Sequence, residues 1–160
     1  MLDPMTYRVC LVCMGNICRS PMAEVVLRAT LAEHGLDEVV VDSAGTGDWH
    51  VGGPMDQRAA QTLAERGYDG SAHRARQFTG DWFGRYDLVL AMDTANLRAL
   101  RRLAPAGREV RLFRSFDPSA PAEAEVPDPY YGGQDGFDEV LRQVKAASEG
   151  LAKHLADELR

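Results

Sequence analysis

The sequence predicts an α/β fold, a single doubly wound domain over residues 1–160 with helices on both faces of its sheet. Three observations carry this. Short apolar runs alternate with stretches of helical period from Arg8 to about Leu159. The first run passes through a glycine-containing loop directly into a helix start. The chain has 160 residues, 45% of them hydrophobic, enough for one core, with no internal repeat or low-complexity segment.

Residues 1–6 read as a flexible tail. Arg8 to Val12 is mostly apolar, the pattern of a buried parallel strand. Ser20 and Pro21 supply an N-cap and a proline at the first helical position, and Met22, Val25, Val26, Ala29 and Leu31 follow at helical spacing. Val39 to Asp42 is a second strand, and Met55 to Arg66 a helix opened by Gly53 and Pro54. Leu88 to Ala91 is a third strand, Thr94 to Leu103 a helix capped by Asp93, and Val110 to Leu112 a fourth strand. A long loop rich in proline and glycine precedes a final helix from Phe137 to about Leu159, with Val140, Leu141, Val144, Leu151 and Leu155 facing inward.

The loop after the first strand carries the chemistry. Cys13-Met14-Gly15-Asn16-Ile17-Cys18-Arg19-Ser20 ends at a helix N-terminus, where unpaired amides and the helix dipole attract an anion. Curled around that anion, the amides from Met14 to Arg19 form a nest for phosphate oxygens, and the planar fork of Arg19 closes the ring. Cys13, below the anion, is poised to attack phosphorus as a thiolate. Ser20 can donate its hydroxyl to the sulfur. Asn16 tolerates the left-handed conformation and holds the loop's shape.

Cys13 to Ser20 resembles the signature of the low-molecular-weight protein tyrosine phosphatases, Cys-x-Gly-Asn-x-Cys-Arg-Ser, which contains the Cys-x5-Arg loop. The resemblance continues through Asp42 to Thr46, His73 to Gln77, Ala91 to Asp93 and Asp128 to Tyr131. It implies a four-stranded parallel sheet, no cofactor and no metal. It also implies hydrolysis of phosphotyrosine through a phosphocysteine on Cys13, with Arg19 clamping the phosphate.

The resemblance makes Asp128 the general acid and base, in a loop where Pro127 and Pro129 restrict the backbone and Gly132 and Gly133 permit movement. Trp49, Tyr130 and Tyr131 become walls for the substrate ring. Ser43 and His73 join Asn16 in a supporting network, and Asp93 orients the loop's surroundings. Cys18 becomes a redox partner that traps oxidised Cys13 reversibly. Two other activities are known on this scaffold. An arsenate reductase resolves its adduct with downstream thiols, but no cysteine follows Cys18. Related phosphoarginine phosphatases carry threonine where this loop has Ile17 and lack the aromatic Asp-Pro-Tyr-Tyr wall, so Ile17 and Tyr130 favour tyrosine.

Composition sets the remaining expectations. A net charge of −6 argues against nucleic acid. No run reaches the roughly 18 apolar residues of a membrane span, and no signal peptide precedes the first strand. The expected setting is cytoplasmic, with export lacking a recognisable signal left open, and the expected state is a monomer. Expected partners are phosphotyrosine-containing proteins or aryl phosphates, with inorganic phosphate and other oxyanions as inhibitors. Cys10-x-x-Cys13 is no disulfide motif, because three residues of strand span about 10 Å against a limit of roughly 7 Å. Lysine occurs only at Lys145 and Lys153 among many arginines, which with abundant alanine suggests a GC-rich bacterial, even actinobacterial, source. Arg98, Arg101, Arg102, Arg108 and Arg111 read as a solvated face.

Overall fold

The computed structural model describes residues 6–159, so all but the last residue of the expected tail lies outside the described residues. The strands are β1 (Tyr7–Cys13), β2 (Val39–Gly45), β3 (Leu88–Ala91) and β4 (Arg111–Leu112), and the helices are α1 (Arg19–Glu33), α2 (Gln57–Glu65), α3 (Thr94–Leu103) and α4 (Gln134–Leu159). The sheet runs β2-β1-β3-β4, and every pair is parallel. The order reverses at β1, so the loop leaving its carboxyl end opens at the topological switch point, where doubly wound folds bind ligands.

β1 is the centre of the molecule. Val9, Cys10, Leu11 and Val12 are all fully buried, because helices cover both faces of the strand. Side chains alternate across a strand, which divides the core in two. Val9, Leu11 and Cys13 pack with Met22 and Leu27 of α1, Leu63 of α2, and Phe137, Val144 and Leu151 of α4. Cys10 and Val12 face Phe78, Phe83, Val89, Leu97 and Leu100 on the side of α3. Cys10 and Cys13 therefore point to opposite faces, which rules out a bond between them more firmly than distance along the strand. Burial, and then the nearby Asp42 carboxylate, push the Cys10 thiol well above its usual range.

Several element boundaries differ from expectation. The N-cap of α1 is Cys18 rather than Ser20, and no side chain caps it. Ser20 is the second helical residue, and its hydroxyl is engaged with Cys13 instead. Pro21 consequently sits third, still within the first turn, where a missing N–H costs nothing. Asp56, not Gly53-Pro54, opens α2, its carboxylate accepting from the amides of Arg58 and Ala59. α4 begins three residues early, at Gln134. Two 3₁₀ turns, Gly80–Arg85 and Phe113–Phe116, occupy stretches to which the sequence pattern assigns no helix or strand. They bury Phe83, Phe113 and Phe116, each side chain contributing about 1.5–3 kcal/mol of hydrophobic stabilisation. α4 crosses the second turn so closely that a Cβ at Gly150 would stand 1.7 Å from the Phe116 carbonyl oxygen. Among the described residues no helix is long and apolar enough to cross a membrane.

Candidate active site

The loop between β1 and α1 curls because Asn16 takes a left-handed conformation, φ 57°. Its backbone amide then turns inward to Cys13 Sγ at 3.3 Å. The side chain, fully buried, is spent on the loop's foundations. Its Nδ2 donates to Ser20 Oγ (2.8 Å) and Ser43 Oγ (3.0 Å), and its Oδ1 accepts from the Arg76 amide (2.9 Å). His73 Nε2 meets the Asn16 carbonyl oxygen at 2.7 Å; a carbonyl only accepts, so this ring nitrogen carries the hydrogen. The loop also leans on the end of β2. Thr46 N donates to the Cys13 carbonyl and Gly47 N to the Met14 carbonyl. Gly45, paired with Cys13 across the sheet, lies so close that a Cβ there would stand 2.6 Å from the Met14 carbonyl oxygen.

Cys13 Sγ lies 3.0 Å from Ser20 Oγ. Asn16 Nδ2 already donates to that oxygen, and of the two acceptors in reach of the hydroxyl the sulfur at 3.0 Å is nearer than the Ala44 carbonyl at 3.4 Å, so the proton serves the sulfur once this is a thiolate. Arg19, buried at the start of α1, gives NH1 to Asp93 Oδ2 (2.5 Å) and to the Val126 carbonyl (3.1 Å). Asp93 caps α3 with its other oxygen, which accepts from Asn96 N at 2.7 Å, so one carboxylate ties two elements together. Burial pulls the Arg19 pKa down, but Cys13, Asp93 and Asp128 outweigh it, and the guanidinium stays charged above its usual range. Asp128 Oδ2 stands 3.8 Å from Arg19 NH2, and its Oδ1 accepts from Tyr130 N at 3.1 Å, which fixes the carboxylate at the rim.

These groups enclose a cavity of about 420 Å³, with Cys13 and Arg19 at its base and Trp49, Asp128, Tyr130 and Tyr131 around it. Met14, Gly15, Ile17 and Cys18 line it from the loop. Asn16 and Ser20, expected among the phosphate contacts, support it from below, and Ser43, His73 and Asp93 form the surrounding frame. Tyr130 and Tyr131 meet edge to face with ring centres 5.0 Å apart, and Tyr131 is 92% exposed. Trp49 covers Gly47, where any Cβ would strike the indole.

Two further residues belong to the site. His50 lines the cavity beside Gly15, and the Val126 carbonyl helps anchor Arg19. Neither carried a sequence signal, because one is an exposed loop histidine and the other acts through its backbone.

A family model described as low molecular weight phosphotyrosine protein phosphatase matches residues 8–160. The chain belongs to this family. Its members are cysteine-dependent protein tyrosine phosphatases, and so is this protein. A Streptomyces coelicolor low molecular weight protein-tyrosine-phosphatase is 59% identical over 152 residues, covering 92% of each chain. Low molecular weight protein-tyrosine phosphatase A of Mycobacterium tuberculosis is 46% identical over 153 residues, covering 94% of this chain and 91% of its own. Both relatives fit the actinobacterial reading of the composition. Among solved structures, an Entamoeba histolytica protein tyrosine phosphatase with Hepes in its active site superposes with a TM-score of 0.90 at 34% identity, covering 96% of this chain and 99% of its own. Vibrio vulnificus Wzb in complex with benzylphosphonate gives 0.82 at 30% identity, over 93% and 99% of the two chains. The phosphatase thus shares a fold with a protein that holds a phosphonate.

Proposed function

We propose that the phosphatase hydrolyses phosphotyrosine in proteins, and simple aryl phosphates, through a phosphocysteine intermediate on Cys13. The observation that carries this is the convergence of the Ser20 hydroxyl and the Asn16 amide on one sulfur, with Arg19 and Asp128 at the same cavity. The phosphoryl group sits in the loop, and the edge of Arg19 formed by Nε and NH2 pairs with two of its oxygens, since NH1 is committed to Asp93 and Val126. The thiolate attacks phosphorus while the bond to the phenolic oxygen breaks. Asp128 gives its proton to that oxygen, whose phenol has a pKa of about 10 and leaves poorly as an anion.

In the second step Asp128, now a carboxylate, takes a proton from water as the water attacks phosphorus. The sulfur–phosphorus bond breaks, the thiolate is restored under the Ser20 hydroxyl, and inorganic phosphate is released. Trp49 and Tyr130 flank the substrate ring, Tyr131 extends that wall outward, and free phosphate and other oxyanions compete for the loop. Cys18 remains a thiol, because burial, then the charges of Asp56, Cys13 and Asp128, hold its pKa far above the usual range. It captures oxidised Cys13 as a reversible disulfide. The enzyme acts as a cytoplasmic monomer.

Phosphotyrosine, phosphoserine and phosphoarginine compared in one assay with a chelator present test this reading. Phosphotyrosine should be hydrolysed far faster than the others, with no loss to the chelator. Preference for phosphoarginine, or inactivation by the chelator, would overturn it.

A further inference from the structure

The first turn of α2 stands between the phosphate loop and the loop that carries Asp128, and it touches both. The Asp56 amide donates to the Ile17 carbonyl of the phosphate loop at 2.9 Å. The Asp56 carboxylate holds Arg58 in a two-point fork, Nε to Oδ1 at 3.2 Å and NH2 to Oδ2 at 3.0 Å. A guanidinium fixed along one edge presents a rigid flat face. That face lies against two rings: the Arg58 guanidinium carbon is 5.4 Å from the centre of Tyr130 and 4.8 Å from that of Phe137. Tyr130 is two residues from the acid and bonds to it through its own amide. Phe137 is fully buried in the first turns of α4, just past the flexible glycine pair. One turn along α2, Thr62 donates to the Arg58 carbonyl (2.7 Å) and accepts from Gln134 (2.8 Å), at the first residue of α4.

We infer that Arg58 is a positioning residue for the general acid, a stacked and forked guanidinium that holds the Asp128 loop at a fixed height over the phosphate loop. On its near side the acid loop is pinned independently, by Val126 N to the Met92 carbonyl and by Arg19 to the Val126 carbonyl. Beyond Asp128 the chain runs through Pro129, buried against Gly136 of α4, then two tyrosines and two glycines before α4, and the ring of Tyr130 on Arg58 ties this stretch to α2. Arg58 touches no reacting atom. Removing it loosens Tyr130, whose amide holds the Asp128 carboxylate, so that proton delivery suffers while anion binding does not.

This inference rests on Asp128 being the acid, and the test separates the two. Arg58→Met and Asp128→Ala are compared with wild type on phenyl phosphate, a poor leaving group, and p-nitrophenyl phosphate, a good one, with vanadate inhibition as the measure of the phosphate loop. A positioned proton donor contributes about 10²- to 10⁴-fold, so Asp128→Ala should lose that much on phenyl phosphate and much less on the nitro compound. Arg58→Met should show the same pattern in reduced form, about tenfold on phenyl phosphate and about twofold or less on the nitro compound, with vanadate affinity kept within about twofold. In the Arg58→Met, Tyr130→Ala double variant the phenyl phosphate defect should not exceed that of the worse single variant, because both act through one contact. Arg58→Lys keeps a charge near the rings but loses the fork; it should show the leaving-group pattern too, and it replaces Arg58→Met if that variant does not fold. If Asp128→Ala lacks the leaving-group pattern, the acid assignment fails. If Asp128→Ala has it, but the folded Arg58 variants slow both substrates alike, or neither, or the double-variant defects multiply, the role of Arg58 is overturned.

Discussion

Replacing Asn16 by alanine tests the foundations of the active loop at a position that never meets the substrate's side chain. Three side-chain hydrogen bonds disappear, to Ser20, Ser43 and the Arg76 amide. Ser20 and Ser43 are fully buried, so water cannot replace what they lose. Each such bond contributes about 1 kcal/mol, and more where a buried partner is orphaned. The φ of 57° adds about 1–2 kcal/mol for a residue with a Cβ and no local hydrogen bond to offset it. The expected loss of stability is about 4–6 kcal/mol, a large share of the 5–15 kcal/mol typical of a domain. Asn16→Gly loses the same bonds but not the conformational term, so it should be more stable than Asn16→Ala by about 1 kcal/mol, the reverse of the order in a helix. Urea unfolding at neutral pH measures both, and turnover per folded molecule should fall in each variant as the Ser20 proton loses its direction. A loss below about 2 kcal/mol, or an alanine variant as stable as the glycine one, would refute the reasoning.

Cys13→Ser should abolish turnover while vanadate or phosphate still binds by calorimetry, and Arg19→Lys should be nearly as slow, since a point charge does not reproduce two-point contact in the transition state; substantial activity in either contradicts the mechanism. After peroxide and then a thiol reductant, wild type should regain its activity and Cys18→Ser much less, and equal recovery would remove the protective role of Cys18. Burial opposes ionisation of Asp56, yet Arg58 and the amides of Arg58 and Ala59 prevail and hold its carboxyl below the usual range. Its stabilisation is therefore complete above the unfolded value of about 3.9 and is lost as the pH falls through the lower folded value. Asp56→Asn, which keeps an oxygen for the cap, should be less stable than wild type at neutral pH by a margin that narrows on acidification; a constant margin in pH-dependent melting would show that the charge is irrelevant.

The order of strands, loops and helices, and the loop that brings Cys13 and Arg19 together, were legible in the sequence, because these depend on neighbours along the chain. A buried strand needs a run of apolar residues, an anion nest needs consecutive amides at a helix start, and Cys13 and Arg19 are joined by that one loop. Asp93 was legible as a cap for the same reason. Ser20 misled because a serine before Pro21 has the local signature of a cap, whereas Asn16, folded back beneath it, redirects its hydroxyl to the sulfur. What meets across long stretches of chain emerges with the fold: Asp93 on Arg19, Asp128 above it, the Arg76 amide on Asn16, and Arg58 beneath Tyr130. Those contacts join residues that separate elements bring together. Their energies appear only when the whole sheet and its helices have packed, so no local pattern encodes them.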